Sequence, residues 1–322
     1  MNYSFLNLVT AIVVSVLIIF GWQHFYEKPK LQRLAEEQKH YTKTLESVKK
    51  ETQSTNVDKV VNRHEALNLS KRIPIKSTVL SGSISLQGLR FDDLTLLKYH
   101  TSLDENSPPV VLFSPSAAQE AYFAEIGWLG NNKNVKFPDS STIWEADGDI
   151  ISPDKPITFT WTNPEKIKFV VKVELDDNYM FTIKQITINH SSHPMQTQYY
   201  ALINRTYSHE SERMVNILHQ GMIGAVNGEL KEYNYDDIKD KKKQSFTKNK
   251  VDWLGITDKY WLAAFIPDPS YQYSSNFIYG IKSGMDKYQA DFVSTAQIIE
   301  SGGSFEVTHK LFAGAKKVDL LD

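Results

Sequence analysis

The sequence is poor in several residue types, and each shortage restricts its chemistry. Its 322 residues include no cysteine, which excludes a disulfide framework, a thiolate metal site and a cysteine nucleophile. The 15 glycines and 12 prolines are too few for a collagen-like or proline-rich chain. The formal net charge of −2 argues against nucleic acid as a partner, because nucleic-acid-binding proteins are usually markedly basic. A hydrophobic fraction of 41% is enough for a real core, and the length predicts one large or two modest domains.

The first 26 residues contain no charged side chain, and they predict a membrane anchor. The apolar run from Phe5 to Trp22 would form a helix about 27 Å long, close to the ~30 Å hydrocarbon core of a bilayer. A cleaved signal peptide is the alternative, but residues 1–7 lack a basic side chain and no small-residue cleavage site follows. We therefore expect an uncleaved anchor at residues 1–26. The cations Lys28, Lys30 and Arg33 favour a cytoplasmic location for the segment that follows it.

Residues 27–76 are predicted to form a polar linker that is partly helical. This segment holds 12 Lys and Arg against 7 Asp and Glu, a net charge of +5, which leaves −7 for residues 77–322. Apolar residues recur at helical spacing between Leu31 and Val48, which fits a short helix or a weak coiled coil. No periodicity continues from residue 52 to residue 70, so a flexible tether is expected there. An oligomerisation module built on residues 31–48 remains an alternative.

Residues 77–322 have the pattern of β-structure. Phe169, Val171 and Val173 alternate with charged residues, as expected for a strand with one wet face, and turn residues at 176–178 predict a hairpin. Ile186 and Ile188 lie at even-numbered positions, whereas the alternating apolar residues before them lie at odd-numbered ones. This change predicts a bulge or a new strand near Gln185. Residues 83–97 and 305–311 show the same alternation. The expected fold is mainly β, a large antiparallel sandwich without interleaved long helices.

Motifs for catalysis or metal binding are scarce. There is no Walker loop, no dinucleotide-binding glycine motif and no H-E-x-x-H. His190 and His193 lie in a predicted turn without a third ligand in register, so a metal site is not favoured. We therefore assign no catalytic, cofactor-binding or metal-binding residue and expect no cofactor.

Charged clusters are also interpreted as solvated surface. The pairs at 92–93, 176–177 and 236–237 are predicted to be solvated turn residues, since neighbours on a strand point to opposite faces. The lysines between Lys239 and Lys250 are predicted to form a solvated loop, and residues 301–304 a hairpin turn without phosphate-binding capacity.

The densest aromatic cluster is WLGITDKYWLAAFIP at residues 253–267. Its composition predicts a buried strand flanked by turns, in which Trp253, Tyr260 and Trp261 bury large apolar areas. A platform that stacks on sugars is the functional alternative.

Four further stretches accompany this cluster in the pattern of one known family. They are residues 84–97, residues 159–161, residues 177–189 and the LFAGAK of residues 311–316. Together the five blocks resemble the YidC family of membrane protein insertases of Gram-negative-type bacteria. Ala315 departs from the family pattern, which usually has proline in that turn.

This resemblance implies an architecture and a role. Against the charge bias of residues 28–33, it implies an N-terminus in the cytoplasm, a transmembrane anchor at residues 1–26, a linker at 27–76 and a periplasmic domain at 77–322. That domain would be a β-supersandwich of the galactose-mutarotase type, outside the inner membrane. Implied partners are the inner-membrane lipid bilayer, nascent membrane proteins and Sec translocon components such as SecDF. The chain is expected to be the N-terminal part of an insertase or chaperone that is not an enzyme, and to stop before the insertase core.

A membrane-anchored carbohydrate-binding protein or mutarotase-like enzyme is the alternative function. Such an enzyme needs histidine and carboxylate side chains that converge in one cleft. The available candidates are His190, His193, His209 and Glu210, and no motif connects them.

Overall fold

The computed structural model describes residues 60–104, 106–130, 132, 134–207 and 219–316. The helices of these ranges are α1 (Arg63–Leu67) and α2 (Tyr235–Lys241). The strands are β1 (Arg72–Lys76), β2 (Leu80–Ser85), β3 (Arg90–His100), β4 (Pro109–Phe113), β5 (Tyr122–Leu129), β6 (Glu145–Ala146), β7 (Ile157–Thr162), β8 (Ile167–Leu175), β9 (Met180–Asn189), β10 (Met195–Tyr207), β11 (Gly221–Val226), β12 (Glu229–Asn234), β13 (Lys243–Asn249), β14 (Val251–Thr257), β15 (Trp261–Ile266), β16 (Tyr273–Lys282), β17 (Met285–Ser294), β18 (Gln297–Ile299) and β19 (Ser304–Ala315).

Two antiparallel sheets contain all the strands of these ranges. The ten-stranded sheet has the order β1-β2-β3-β5-β10-β17-β16-β13, with β4 added beside β3 and β18 beside β10. The nine-stranded sheet has the order β12-β11-β14-β15-β19-β9-β8-β7-β6. The prediction of a large, mainly β antiparallel sandwich is confirmed.

Aromatic side chains from both sheets form the core between them. Trp128 of β5 meets Phe169 of β8 with ring centroids 5.2 Å apart. Phe91 of β3 similarly meets Phe181 of β9 at 5.5 Å. Edge-to-face contacts of this kind add to the stabilisation from buried area. The apolar residues on the inner face of each sheet therefore pack against those of the other sheet.

The predicted hairpin of β8 and β9 is present. Ile167 pairs with Asn189 and Leu175 with Phe181, and the turn between the strands contains Tyr179 with φ of 70°. The Asp176 carboxylate accepts backbone N–H bonds from residues 178 and 180, which closes the turn. Buried residues alternate with more solvent-exposed residues along most of β8, as predicted.

The predicted bulge near Gln185 is wrong. Strand β9 runs without a register shift from residue 180 to residue 189, and its buried face continues through Gln185, Thr187 and Asn189. Ile186 and Ile188 instead lie on the half-buried outer face. The interior is polar here because partners on the opposite sheet accept or donate hydrogen bonds: Gln185 Nε2 donates to the Gly127 carbonyl at 3.0 Å.

Part of the segment predicted as a linker is folded. Within residues 60–76, α1 begins after Asn62, whose side chain accepts the Glu65 N–H, and β1 pairs with β2 along its whole length. No helix in the described ranges has the length and apolar composition that a bilayer crossing requires. The expected anchor at residues 1–26 and the rest of the linker lie outside these ranges.

Candidate functional site

A row of polar side chains crosses the ten-stranded sheet on the face that points away from the core. Ala124 and Ile126 belong to the core between the sheets, so Glu125 between them points to the other face. Cross-strand pairing places four polar residues and one leucine in line with one another, which we call the outer row: Arg90, Glu125, Leu202, Asp291 and Asn276. The row is a candidate site because it holds two carboxylates in buried positions, Glu125 at 5% and Asp291 at 2% exposure.

Both carboxylates of the outer row are occupied by protein donors. Glu125 accepts from Arg90 Nε at 2.7 Å and from the Tyr200 hydroxyl at 2.9 Å. Asp291 accepts from Asn276 Nδ2 at 2.8 Å and from Gln289 Nε2 at 2.7 Å. Because each oxygen already has a donor, these groups are arranged to bind the strands together and not to exchange protons with a substrate.

The Asp92-Asp93 pair contradicts its prediction as solvated turn residues. Asp93 is paired with Ser83 of β2, and the register then shifts, so Asp92 is the extra residue of a β-bulge. Asp92 is 5% exposed and forms an ion pair with Arg72, while Asp93 forms one with Arg63 of α1. Burial raises the pKa of the Asp92 carboxyl, and the Arg72 charge opposes that effect.

Of the other two acidic pairs, one is a solvated turn as predicted and the other is not. Asp176 and Asp177 are exposed turn residues, as predicted. Asp236 and Asp237 do not lie in a loop. They belong to the first turn of helix α2, where Asp237 completes a capping box with Asn234. Acidic residues are favoured there by the positive end of the helix dipole.

The predicted lysine loop is instead the end of α2 and the start of β13. Lys239 forms an ion pair with Asp286 at 2.6 Å, and the ammonium groups of Lys241 and Lys242 lie 4.6 and 4.5 Å from the rings of Tyr233 and Tyr279. These lysines therefore have partners within the domain, although they remain at its surface.

The histidine candidates do not form a catalytic cluster. His190 and His193 are exposed in the turn after β9, as predicted. His209 and Glu210 lie outside the described residues. In the described ranges, the histidine side-chain hydrogen bonds run to backbone carbonyls or to a serine hydroxyl, and none reaches a carboxylate. The geometry needed for a mutarotase-like acid and base is not found among these residues.

The aromatic block at residues 253–267 is a hairpin and not a single strand. It forms β14 and β15, and the turn between them contains Tyr260, which is 55% exposed and so does not bury its ring as predicted. Asp258 in the same turn pairs with Arg205, whose guanidinium lies 4.8 Å from the ring of Tyr122. The block thus ties the nine-stranded sheet to β10 of the other sheet.

The serine- and glycine-rich segment at residues 301–304 is a turn between sheets. It connects β18, which pairs with β10, to β19, which pairs with β9. The prediction of a hairpin turn is therefore wrong, because the strands on either side do not pair with each other. Gly302, with φ of 76°, donates its N–H to the Asn189 carbonyl.

Sequence reasoning missed the outer row. Glu125 stands alone in the apolar strand YFAEIGWL, and Asp291 lies in the apolar second half of β17, YQADFVS. A single charge in such a strand is the signal that could have identified them, since an acidic residue is rarely buried without a partner. The partners were not predictable, because Arg90 and Glu125 are 35 residues apart in the chain.

Comparison with known proteins defines the family. The model of the YidC periplasmic domain family matches residues 72–322. The chain belongs to this family. The match begins at β1, so the whole sandwich, including the outer row, corresponds to the YidC periplasmic domain.

Curated relatives cover the full chain. The membrane protein insertase YidC of Rickettsia bellii is 52% identical over 322 residues, and that of Rickettsia canadensis is 50% identical over 326 aligned positions. Each alignment covers 100% of this chain and 57% of the relative, so the chain spans just over half the length of these YidC proteins.

Solved structures share the architecture of this YidC domain at low identity. The Slr1438 protein from Synechocystis sp. PCC 6803 aligns with 77% of the chain and 96% of its own length, at 11% identity and a TM-score of 0.51. A galactose mutarotase-like protein from Lactobacillus casei covers 76% of the chain and is itself covered completely, at 9% identity and a TM-score of 0.49. Likenesses at such identities concern the fold alone.

Proposed function

We propose that this chain provides the anchor and the periplasmic domain of a membrane protein insertase, which helps integral proteins insert and fold in the inner membrane. The observation that carries this proposal is 52% identity, over the whole chain, to a relative named as such an insertase. Residues 1–26 would anchor the chain with its N-terminus in the cytoplasm, and residues 27–76 would lead to the domain at 77–322.

The role proposed for the domain is binding and positioning, not catalysis. The carboxylates of the outer row are held by protein donors, and the described histidines form no bond to a carboxylate. A carbohydrate-active enzyme would need such groups free and convergent in one cleft.

The proposed partners are the inner-membrane bilayer, nascent membrane proteins and Sec translocon components such as SecDF. Edge pairing is a general way for a sheet to bind a polypeptide, but three of the four terminal strands of the two sheet orders are unfavourable for it. β1 carries Pro74, β12 carries Glu229, Lys231 and Glu232, and β6 has two residues. We therefore propose that partners contact exposed side chains on the sheet faces and turns.

The location of the domain can be tested by cysteine labelling, since the chain has no native cysteine to react. A Tyr260→Cys variant in intact cells should react with a membrane-impermeant maleimide, because Tyr260 is exposed at a turn. An Ala263→Cys variant is the control, because that position is fully buried and should stay unlabelled until the protein is denatured. Labelling of Tyr260→Cys only after cell lysis would place the domain on the cytoplasmic side.

The insertase role can be tested separately with a chimera. This chain would replace the matching part of the Rickettsia bellii insertase in cells depleted of their own insertase. We expect insertion of membrane proteins to be restored to nearly the level of the intact relative. A chimera that accumulates in the membrane but restores no more insertion than an unrelated sandwich domain would contradict the proposal.

A further inference from the structure

A concavity next to the outer row has features of a ligand site. It lies between the β16–β17 turn and residues 116–121. Its polar lining is Ser116, Thr206, Lys282, Ser283 and Lys287, and its apolar lining is Val60, Ala117, Ala118, Ala121, Phe123 and Met285. The lining therefore combines cationic and hydroxyl-bearing side chains with apolar ones, as is usual for small-molecule sites.

The turn that carries the lysines is a tight two-residue connection. Lys282 pairs with Met285 across it, and Ser283 and Gly284 adopt φ of 51° and 78°. These values are typical of a type I′ hairpin turn, which matches the twist of the flanking strands. Lys282 and Lys287 are consequently held at one end of a regular hairpin.

Lys287 is a cation of this pocket that has no counter-ion among the described residues. It is half-buried and forms no ion pair with any carboxylate among the described residues, and its ammonium lies 6.0 Å from the centre of the Phe123 ring. Arg90 lies over the same ring at 5.4 Å, but its charge is already balanced by Glu125. A half-buried cation without a counter-ion is costly and is stabilised by a bound anion.

The donors of the pocket suit a phosphate group, since lysine commonly binds phosphate. Arg90 already donates to Glu125 and to the Ser116 hydroxyl, the latter at 3.1 Å. Lysines and hydroxyl groups bind phosphate as point charges and donors without a fixed plane. Phe123 and the other apolar lining residues would accommodate the carbon atoms of an ester.

We propose that this pocket binds the phosphate group of a small phosphate ester, with Lys287 and Lys282 facing the phosphate oxygens and Phe123 facing the carbon chain. This inference does not depend on the insertase role. The phosphate could belong to a free ester or to the headgroup of an anionic phospholipid, and the experiment separates these sources.

Binding of glycerol 3-phosphate to the full chain in maltoside micelles, measured by titration calorimetry, tests the proposal. We expect saturable binding at neutral pH, at least tenfold weaker in Lys287→Gln and changed less than twofold in Lys310→Gln. Lys310 is an exposed lysine of β19 on the other sheet and serves as the matched control. Absence of saturable binding, or equal weakening in both variants, would overturn the proposal.

A pH series on the unmutated chain gives a second test that does not depend on the folding of a variant. The groups that face Lys287 are Lys282, Arg90 and Glu125, and burial together with the two cations lowers the pKa of Lys287 to about 8. Deprotonation should therefore weaken binding by roughly tenfold between pH 7 and pH 9, while the ester stays dianionic. Affinity that stays constant over this interval would contradict a role for Lys287.

Mixed micelles that contain phosphatidylglycerol distinguish the source of the phosphate. If the lipid headgroup occupies the pocket, the apparent affinity for glycerol 3-phosphate should fall in these micelles, and the fall should disappear in Lys287→Gln. An unchanged affinity would assign the pocket to a free ester. Either result supports the phosphate site, provided that binding in pure maltoside is present.

Discussion

Single polar residues inside the sandwich are satisfied by partners on the opposite sheet. Thr187 shares a hydrogen bond with the Tyr199 hydroxyl at 3.1 Å, and the Tyr122 hydroxyl donates to the Ile256 carbonyl at 3.0 Å. Not every buried polar atom is satisfied in this way: His309 is 1% exposed, and neither of its ring nitrogens has a hydrogen-bond partner among the described residues. Its ring instead packs against Phe292 with centroids 5.1 Å apart.

Stability should therefore fall in mild acid because of His309. Burial lowers the pKa of His309 from 6.5 to about 4, and Asp268 opposes this only weakly. The contribution is fully present above the unfolded pKa and is lost as the pH falls toward 4, because only the unfolded chain then takes up the proton. We expect His309 to reduce the free energy of unfolding by about 2 kcal/mol between pH 7 and pH 5.

Urea unfolding at both pH values measures this effect. A His309→Leu variant should lose most of that pH dependence, whereas His193→Gln, which alters an exposed histidine, should keep it. Equal pH dependence in the wild type and His309→Leu would show that His309 is not the group responsible.

Strand pairs approach closely where the sequence places glycine. In the β14–β15 hairpin, a Cβ atom on Gly255 would lie 2.0 Å from the Ala263 carbonyl oxygen and 2.7 Å from the Ala264 Cα. Both are backbone atoms, so they cannot move aside without disturbing the pairing of the strands. In β16, a Cβ on Gly280 would meet no atom within 4 Å.

The variants Gly255→Ala and Gly280→Ala should consequently differ in stability. We expect Gly255→Ala to cost about 2–3 kcal/mol through overpacking, and Gly280→Ala to change stability by less than about 0.5 kcal/mol. Chemical denaturation of both proteins provides the measurement. Similar stabilities for the two would refute the close approach of β14 and β15.

The whole molecule is assembled from contacts between distant parts of the chain. β19 pairs with β15 on one side and with β9 on the other, where Ser304 lies opposite Ile188. β10 similarly pairs with β5 and β17. Such non-local pairings impose a large loop-closure entropy before they contribute any stabilisation.

Refolding should accordingly be slow, in seconds and not milliseconds, as for other proteins dominated by non-local strand pairing. Stopped-flow tryptophan fluorescence after dilution from urea would follow it, because Trp128 enters the core only when β5 and β8 meet. Complete recovery of the native signal within a few milliseconds would contradict this topology.

The sequence alone determined the fold class and the family of this protein. Alternation along β8 and the turn at Asp176 are local properties, and the block around Trp253 is specific enough to indicate the family without coordinates. Both rest on residues that are near one another in the chain.

Tertiary structure alone decided which buried polar groups meet. The partners of Glu125, Asp92 and Gln185 come from other strands, so the alternation along a strand carries no information about them. The bulge at Asp92 and the crossing between sheets at Gly302 depend in the same way on register and on sheet membership. These are set by the packing of the whole sandwich, because a strand's own pattern specifies its faces but not its neighbours.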